Sequence, residues 1–257
     1  MFEIDLGGKR AWVTGASRGI GRAAALALAD AGCDVAIGYR EADAEAAAVA
    51  EEVVAKGRRA HLAKGHVGSR AECERMHTEM VAALGGPIDV LVNNAGIHRN
   101  NLFLAMADSE WDEVLETNLM GMVHPTRTVG RSMWARRSGR IVNMSSVATT
   151  GGGRGQANYV ASKGAIEALT RNLAVEFAPR GITVNCISPG AIDTTMWGDM
   201  DTTQVTSQQL IKRLGTPAEL AAWVVMLASD YSAFVTGEVI SINGGWKKGW
   251  EVARKKA

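Results

Sequence analysis

The chain has 257 residues, with 28 Lys and Arg against 27 Asp and Glu, and 47% of it is apolar. This length suits one α/β domain with a sizeable core, and a formal charge of +1 gives no basis for a nucleic-acid or membrane partner. The three cysteines, Cys33, Cys73 and Cys186, show no metal-ligand spacing, so no metal site is expected. No apolar signal core opens the chain and no apolar run reaches the length of a membrane span, so the expected location is cytoplasmic.

Residues 9–14 read as a short buried strand, followed by Gly15-Ala-Ser17-Arg18-Gly19-Ile20-Gly21 and an Ala/Leu-rich helix to about residue 31. Glycines here allow a tight turn and let backbone N–H groups approach a phosphate at the helix N-terminus. The spacing is Gly-x3-Gly-x-Gly rather than the G-x-G-x-x-G fingerprint, and a βα turn without ligand is the bland alternative. A second strand, 34–38, ends in Gly38-Tyr39-Arg40, where NAD enzymes usually place an acid for the ribose 2′-hydroxyl. Arg40 and Arg18 would instead attract a 2′-phosphate, so NADPH is expected over NADH. Solvated surface cations are the alternative, and Glu41 argues for it.

A helix over 41–56, a strand over 59–64 and a helix over 69–84 with Ser69 as N-cap come next. Strand 88–92 is closed by Asn93-Asn94-Ala95-Gly96, able to pack against a cofactor and brace the sheet, or to form a plain Asx turn. Residues 109–136 are helical, with a break expected near Pro125, and Asn118 sits among Leu115, Leu119 and Met122 as a buried helix-bending or water-binding group, or as an exposed amide. Strands over 140–144 and 182–187 follow. Residues 195–214 read as a flexible substrate flap, Pro217 opens a helix at its first position, 238–242 is the last strand, and 246–257 is a basic tail. Strands alternate with helices without repeat or linker, which predicts a doubly wound parallel sheet of about seven strands with helices on both faces.

Between strand 140–144 and the next lie Ser145, Ser146, a Gly-rich loop and a helix carrying Tyr159 and Lys163. Tyr and Lys four apart share a helix face. A free phenol titrates near ~10. A cation about 4 Å away at an effective dielectric near 20 is worth roughly 4 kcal/mol. At about 1.4 kcal/mol per pKa unit, Lys163 is expected to lower the Tyr159 pKa toward neutrality. With Ser146 beside it, the phenol could hold and protonate a carbonyl. An ordinary half-buried aromatic and a solvated cation are the alternative for the bare pair.

Thr14-Gly-Ala-Ser-Arg-Gly-Ile-Gly21, Asn93-Asn-Ala-Gly96, Asn118, Ser146, Tyr159-x3-Lys163 and Pro189-Gly190 resemble, in order and spacing, the short-chain dehydrogenase/reductase superfamily over about residues 6–245. Gly155-Gln-Ala-Asn-Tyr159 and Thr236-Gly-Glu with Asn-Gly-Gly245 are similar to the β-ketoacyl-acyl-carrier-protein reductases. The resemblance implies one NAD(P)-binding Rossmann domain. It implies Tyr159 as general acid in reduction, Lys163 as pKa-lowering and ribose-holding group, Ser146 as carbonyl orienter and Asn118 as holder of a relay water. Ser146 is chosen over Ser145 because the family places its serine thirteen before the tyrosine. Thr14, Gly15, Ser17, Gly19 and Ile20 would line the pyrophosphate. Asn94, Ala95 and Gly96 would lie along the ribose and nicotinamide side, and Pro189, Gly190, Ile192 and Thr194 would seat the nicotinamide.

Where the family has an adenine-binding Asp, this chain reads Gly65-His66-Val67-Gly68; either His66 replaces that contact or it is lost. His98, Arg99, Val147, Arg154, Met196 and Trp197 are candidates for the substrate rim, and Trp246 and Trp250 could reach a neighbour's site. Arg137 and Arg180 match positions near the active-site mouth that meet an acidic acyl carrier protein in the reductases. The implied reaction is NADPH-dependent reduction of a 3-oxoacyl thioester. The alternatives are a specialised ketone reductase or secondary-alcohol dehydrogenase, and a catalytically silent binding module. A homotetramer packed through helices near 119–134 and 163–178 is also implied.

Overall fold

The computed structural model describes residues 3–194 and 202–246. Among them, seven strands form one parallel sheet: β1 Arg10–Val13, β2 Asp34–Tyr39, β3 Ala60–Lys64, β4 Val90–Asn93, β5 Gly139–Met144, β6 Ile182–Pro189 and β7 Val239–Ile242. Their order is β3-β2-β1-β4-β5-β6-β7. The connecting helices are α1 Gly19–Asp30, α2 Asp43–Ala55, α3 Arg70–Leu84, α4 Asp108–Val114, α5 Gly121–Arg136, the short α6 Ala148–Gly151, α7 Ala157–Phe177, the short α8 Thr203–Thr206 and α9 Pro217–Ala228.

Central strands are apolar on both faces because helices cover both. In β2, Val35 and Ile37 point into a core with Ala24, Leu28, Val49, Val53 and Val224 from α1, α2 and α9. Between them Ala36 points the other way, into a core with Trp12, Met76, Met80, Val129 and Met133, under α3 and α5. The register sets Trp12 beside Ala36 on one side and Leu91 on the other. Fully burying side chains of this kind stabilises by about 1.5–3 kcal/mol each.

Local chemistry starts the helices where the sequence places the starts. The Ser69 hydroxyl accepts the Glu72 N–H at 3.4 Å, an N-cap. Thr216 and Glu219 form a reciprocal capping box ahead of α9, with Pro217 at its first position. The helical break expected near Pro125 lies earlier: Leu115–Met120 is a π-helical segment, and Pro125 sits inside α5. The carbonyl four residues before Pro125 belongs to Gly121, the first residue of α5, so the ring crowds the junction with the widened turn rather than an established helix interior. That widened turn holds Asn118.

The strand order reverses between β1 and β4. Loops leaving the carboxyl ends of these strands diverge to opposite faces and leave a crevice there. Every strand runs the same way, so the loops after β1 to β6 all gather at that edge.

Candidate active site

The crevice begins at the glycine loop. Gly15 has φ +64°, and a Cβ on it would lie 2.9 Å from the Ala95 Cα. A Cβ on Gly21 would overlap the Gly15 carbonyl oxygen. Only glycine lets this turn close. Loops after β1 and β4 are then joined by hydrogen bonds. The Thr14 hydroxyl accepts the N–H groups of Asn94 and Ala95 at 2.9 and 3.0 Å, and the Asn94 amide donates to the carbonyls of Thr14 and Gly15 at 2.9 and 3.0 Å. The plain Asx turn does not describe this motif; Asn94 braces the glycine turn across the switch point.

A cleft of about 760 Å³ opens above this seam. Gly15, Ser17, Arg18, Gly19 and Ile20 line it from the first loop, and Asn94, Ala95, Gly96 and His98 from the fourth. Arg40, His66, Val67, Arg99 and Thr194 complete the expected residues that it brings together. Gly21 lies beneath the loop rather than along the cleft. Sequence reasoning missed Glu41 as a lining residue, and Ala42, which lines the cleft with a left-handed φ of 69°. A non-glycine residue in that region is a signal only coordinates carry.

The outer end of the cleft is exposed and loosely tied. Arg40 keeps 58% of its side chain exposed, with its Nε 3.9 Å from a Glu41 carboxylate oxygen. His66 is held more firmly: its N–H donates to Glu72 at 2.9 Å, its Nε2 lies 3.4 Å from the Thr117 hydroxyl, and its Nδ1 lies 3.8 Å from Glu116.

Asn118, Ser146, Tyr159 and Lys163 are not among the residues that line this cleft; Asn118 and Lys163 lie behind Gly96, at its inner end. Asn118 is 1% exposed, not the exposed amide of the bland alternative. Its Oδ1 accepts the Ile97 N–H at 2.8 Å, and its Nδ2 donates to the Ile97 carbonyl and the Ser162 hydroxyl at 3.0 Å each. Ser162 was not singled out in the sequence; its only signal is a position one before Lys163. Lys163 donates from Nζ to the Met144 carbonyl at 2.9 Å, and that nitrogen lies 5.7 Å from the Tyr159 ring centroid. A Cβ on Gly96 would sit 3.3 Å from both Asn118 Oδ1 and Lys163 Nζ. Both groups therefore converge on the bare backbone that floors the cleft. Ser146 follows β5 and accepts the Ala148 N–H on its hydroxyl at 3.2 Å.

Electrostatics here depart from expectation. Burial raises the Tyr159 pKa, and the neighbouring Ser146 hydroxyl only partly offsets it. Burial also lowers the Lys163 pKa to about 8, opposed by Cys186. The net shift of the phenol is therefore upward in this arrangement, not the expected fall toward neutrality. The Lys163 ammonium lies over the ring and spends its hydrogen bond on a backbone carbonyl, while desolvation favours the neutral form of both groups.

The residues expected on the nicotinamide side lie at and just beyond the end of β6. Pro189 ends that strand and its carbonyl accepts the Val147 N–H at 3.0 Å, linking the loop of Ser146 to it. Gly190 packs so closely on Asn243 that a Cβ would lie 2.6 Å from its Cα. Ile192 pairs with Gly215 in an isolated parallel bridge, and the Thr194 methyl stands over Gly19. Among the substrate candidates, Arg154 is exposed in the Gly-rich loop, and Arg99 is turned into an ion pair with Glu113. Met196, Trp197, Trp250, part of the expected flap and nearly all of the tail lie outside the described residues.

Arg137 and Arg180 are not at the mouth of this cleft. They precede β5 and β6, whose far ends carry Ser146 and Pro189. At ~3.3 Å per residue, a six-residue strand separates them from that edge by about 20 Å. Arg137 donates to the Pro179 carbonyl at 2.9 Å and the Arg180 guanidinium lies 4.6 Å from the Trp134 ring centroid. Parallel strands put both on the edge opposite the crevice, which motif order alone does not reveal.

A family model described as short chain dehydrogenase matches residues 9–205. The chain belongs to the short-chain dehydrogenase family. It is accordingly a nicotinamide-cofactor oxidoreductase with the doubly wound fold described above. It is similar to the 3-oxoacyl-(acyl-carrier-protein) reductase FabG of Staphylococcus epidermidis, 43% identical over 240 residues, covering 92% of this chain and 98% of that one. The FabG of Escherichia coli K12 is likewise 43% identical, over 94% of this chain and 98% of its own length. Among solved structures, one described as a candidate gluconate dehydrogenase from Agrobacterium tumefaciens is 33% identical, with a TM-score of 0.90 over 95% of this chain and 98% of that one. No helix among the described residues is long and apolar enough to cross a membrane.

Proposed function

We propose that this protein reduces a 3-oxoacyl thioester to the 3-hydroxyacyl thioester with NADPH. The observation that carries the reading is the convergence of Asn118 Oδ1 and Lys163 Nζ on Gly96, beside Ser146 and Tyr159. The full-length likeness to reductases named for that substrate adds to it. A dinucleotide fits this cleft because Gly15 and Gly96 keep side chains out of its floor.

NADPH supplies the hydride when bound, delivered to the carbonyl carbon. Tyr159 gives its phenolic proton to the carbonyl oxygen as negative charge develops there. A phenol whose pKa is raised by burial is held protonated at neutral pH, ready to donate. Ser146 orients that oxygen with its hydroxyl. Lys163, protonated below about pH 8, stabilises the phenolate left after transfer. Asn118, fixed by Ile97 and Ser162, would seat a water through which the proton is restored. Arg18 and Arg40 would take the 2′-phosphate and His66 the adenine edge. Thr194 and Ile192 would close over the nicotinamide end, and His98, Val147 and Arg154 would meet the substrate.

The helical faces of α5 and α7 support a tetramer: Trp134 is 38% and Val175 76% exposed. A carrier protein docked on Arg137 and Arg180 would then serve a neighbouring subunit's cleft. Sedimentation giving a monomer would remove that route, and turnover insensitive to salt would remove the carrier contact. The gluconate-named structure favours a second reading, in which the substrate is a polyol or keto-sugar acid. Following NADPH oxidation at 340 nm with acetoacetyl thioester and, separately, with keto-sugar acids decides between them. Thioester turnover is expected, and its absence would remove the first reading.

A further inference from the structure

One ionisable side chain near the catalytic residues belongs to none of the roles above. Glu167 lies on α7 one turn beyond Lys163, with its side chain 14% exposed. Its Oε1 accepts the Ser145 hydroxyl at 2.7 Å and the Thr149 hydroxyl at 2.8 Å. Its Oε2 faces Arg171 at 3.9 Å. Ser145 follows β5 and Thr149 lies in the first turn of α6, on either side of Ser146.

Each hydroxyl has one proton and a second acceptor. Ser145 also lies 3.4 Å from the Lys163 carbonyl, and Thr149 lies 2.9 Å from the Ser146 carbonyl. A carboxylate can only accept, and charge-assisted bonds are shorter and roughly twice as strong as neutral ones. Both protons therefore turn to Glu167. The segment from Met144 to Thr149 is tied to α7 a second time, through Met144 and Lys163. Residues 144, 145 and 149 are thus pinned to the helix that carries Tyr159, with Ser146 between them.

We infer that Glu167 is a positioning residue: by binding Ser145 and Thr149 at once, it fixes the Ser146 hydroxyl relative to the Tyr159 phenol. The inference rests on the proposed role of Ser146 but not on the identity of the ketone. A misplacement of about 1 Å at a reacting group can cost on the order of 10²-fold in rate.

The test compares Glu167→Ala with Glu167→Gln in the full-length protein. The glutamine carbonyl can still accept both hydroxyls. Alanine is expected to lower kcat about tenfold to a hundredfold while leaving the KM for NADPH unchanged, and glutamine to restore most of the rate. Wild-type kcat in Glu167→Ala, or equal loss in both variants, would overturn the inference. Crystal structures supply an arm free of substrate. In Glu167→Ala the Ser146 hydroxyl is expected to shift by about 1 Å with Tyr159 in place, and an unmoved Ser146 would also overturn it. If the wild-type protein turns over no thioester, the substrate reading fails while the crystallographic arm still decides the positioning role.

Discussion

The two ends of the cleft are built differently. At the inner end, Asn118 and Lys163 are buried and Ser146 is half-buried, and each is tied to the scaffold by at least one hydrogen bond. At the outer end, Arg18 and Arg40 are exposed, and Arg40 faces Glu41 at 3.9 Å. Proton transfer needs groups fixed to within fractions of an ångström, and burial supplies that fixity while pushing pKa values toward neutral forms. Recognition of a phosphate tolerates mobile cations that water screens. In the proposed reaction the inner end would set the chemistry, whereas the outer end would set which dinucleotide is preferred.

The strongest way to break this contrast is Tyr159→Phe. The expected result is a fall in kcat of about 10²–10⁴-fold, with NADPH affinity by fluorescence titration nearly unchanged; a modest fall would place the acid elsewhere. Next, Gly21→Ala attacks the seam joining both ends. Overpacking against the Gly15 carbonyl should cost about 1–3 kcal/mol, read as a lower Tm, and weaken NADPH and NADH alike. A third change sharpens the outer end. Arg40→Ala should weaken NADPH about tenfold, one charge-assisted contact at an exposed site, and leave NADH untouched. Equal losses for both cofactors would show that Arg40 does not read the 2′-phosphate.

The smallest expected effect is in stability against pH. The folded Lys163 pKa, about 8, is below its unfolded value of 10.5, so the folded state binds fewer protons between them. Its contribution is present above 10.5 and lost as pH falls through 8. Cys33, Cys73 and Cys186 have the opposite sign. Burial raises each from 9.0 to about 12, so their contribution is present below 9 and lost as pH rises toward 12. Between pH 8 and 9 the Lys163 gain and the summed loss from the three thiols are each about 1 kcal/mol and nearly cancel, so Tm should stay level across that step and fall above pH 9. A Tm that declines steadily from pH 8 would mean that Lys163 is not buried as described.

The same contrast explains what the sequence disclosed. Tyr159, Lys163, Ser146 and Asn118 were legible because their chemistry needs particular side chains at fixed separations along strand, turn and helix. Gly15 and Gly21 were legible because a tight βα turn excludes a Cβ. The π-helical turn around Asn118 was legible only as a bend at a buried amide, because a one-residue change of hydrogen-bond register has no residue signature and Pro125 drew attention downstream. The direction of the Tyr159 shift was not legible, since spacing reports the nearby cation but not the depth of burial. Arg137 and Arg180 were assigned to the wrong edge for a topological reason: strand direction, not motif order, decides which end a flanking residue occupies. Glu167 escaped notice because its partners come from another element eighteen and twenty-two positions away.

The central claim is hydride delivery to a ketone with Tyr159 giving the proton. It is tested most directly by incubating the protein with acetoacetyl thioester and NADPH deuterated on the transferred position of C4, then examining the product by NMR. Deuterium at the carbinol carbon of a 3-hydroxyacyl thioester, formed by the wild-type protein and almost absent with Tyr159→Phe, is the predicted result. No deuterated alcohol from the wild type, or the same yield from both proteins, would contradict it.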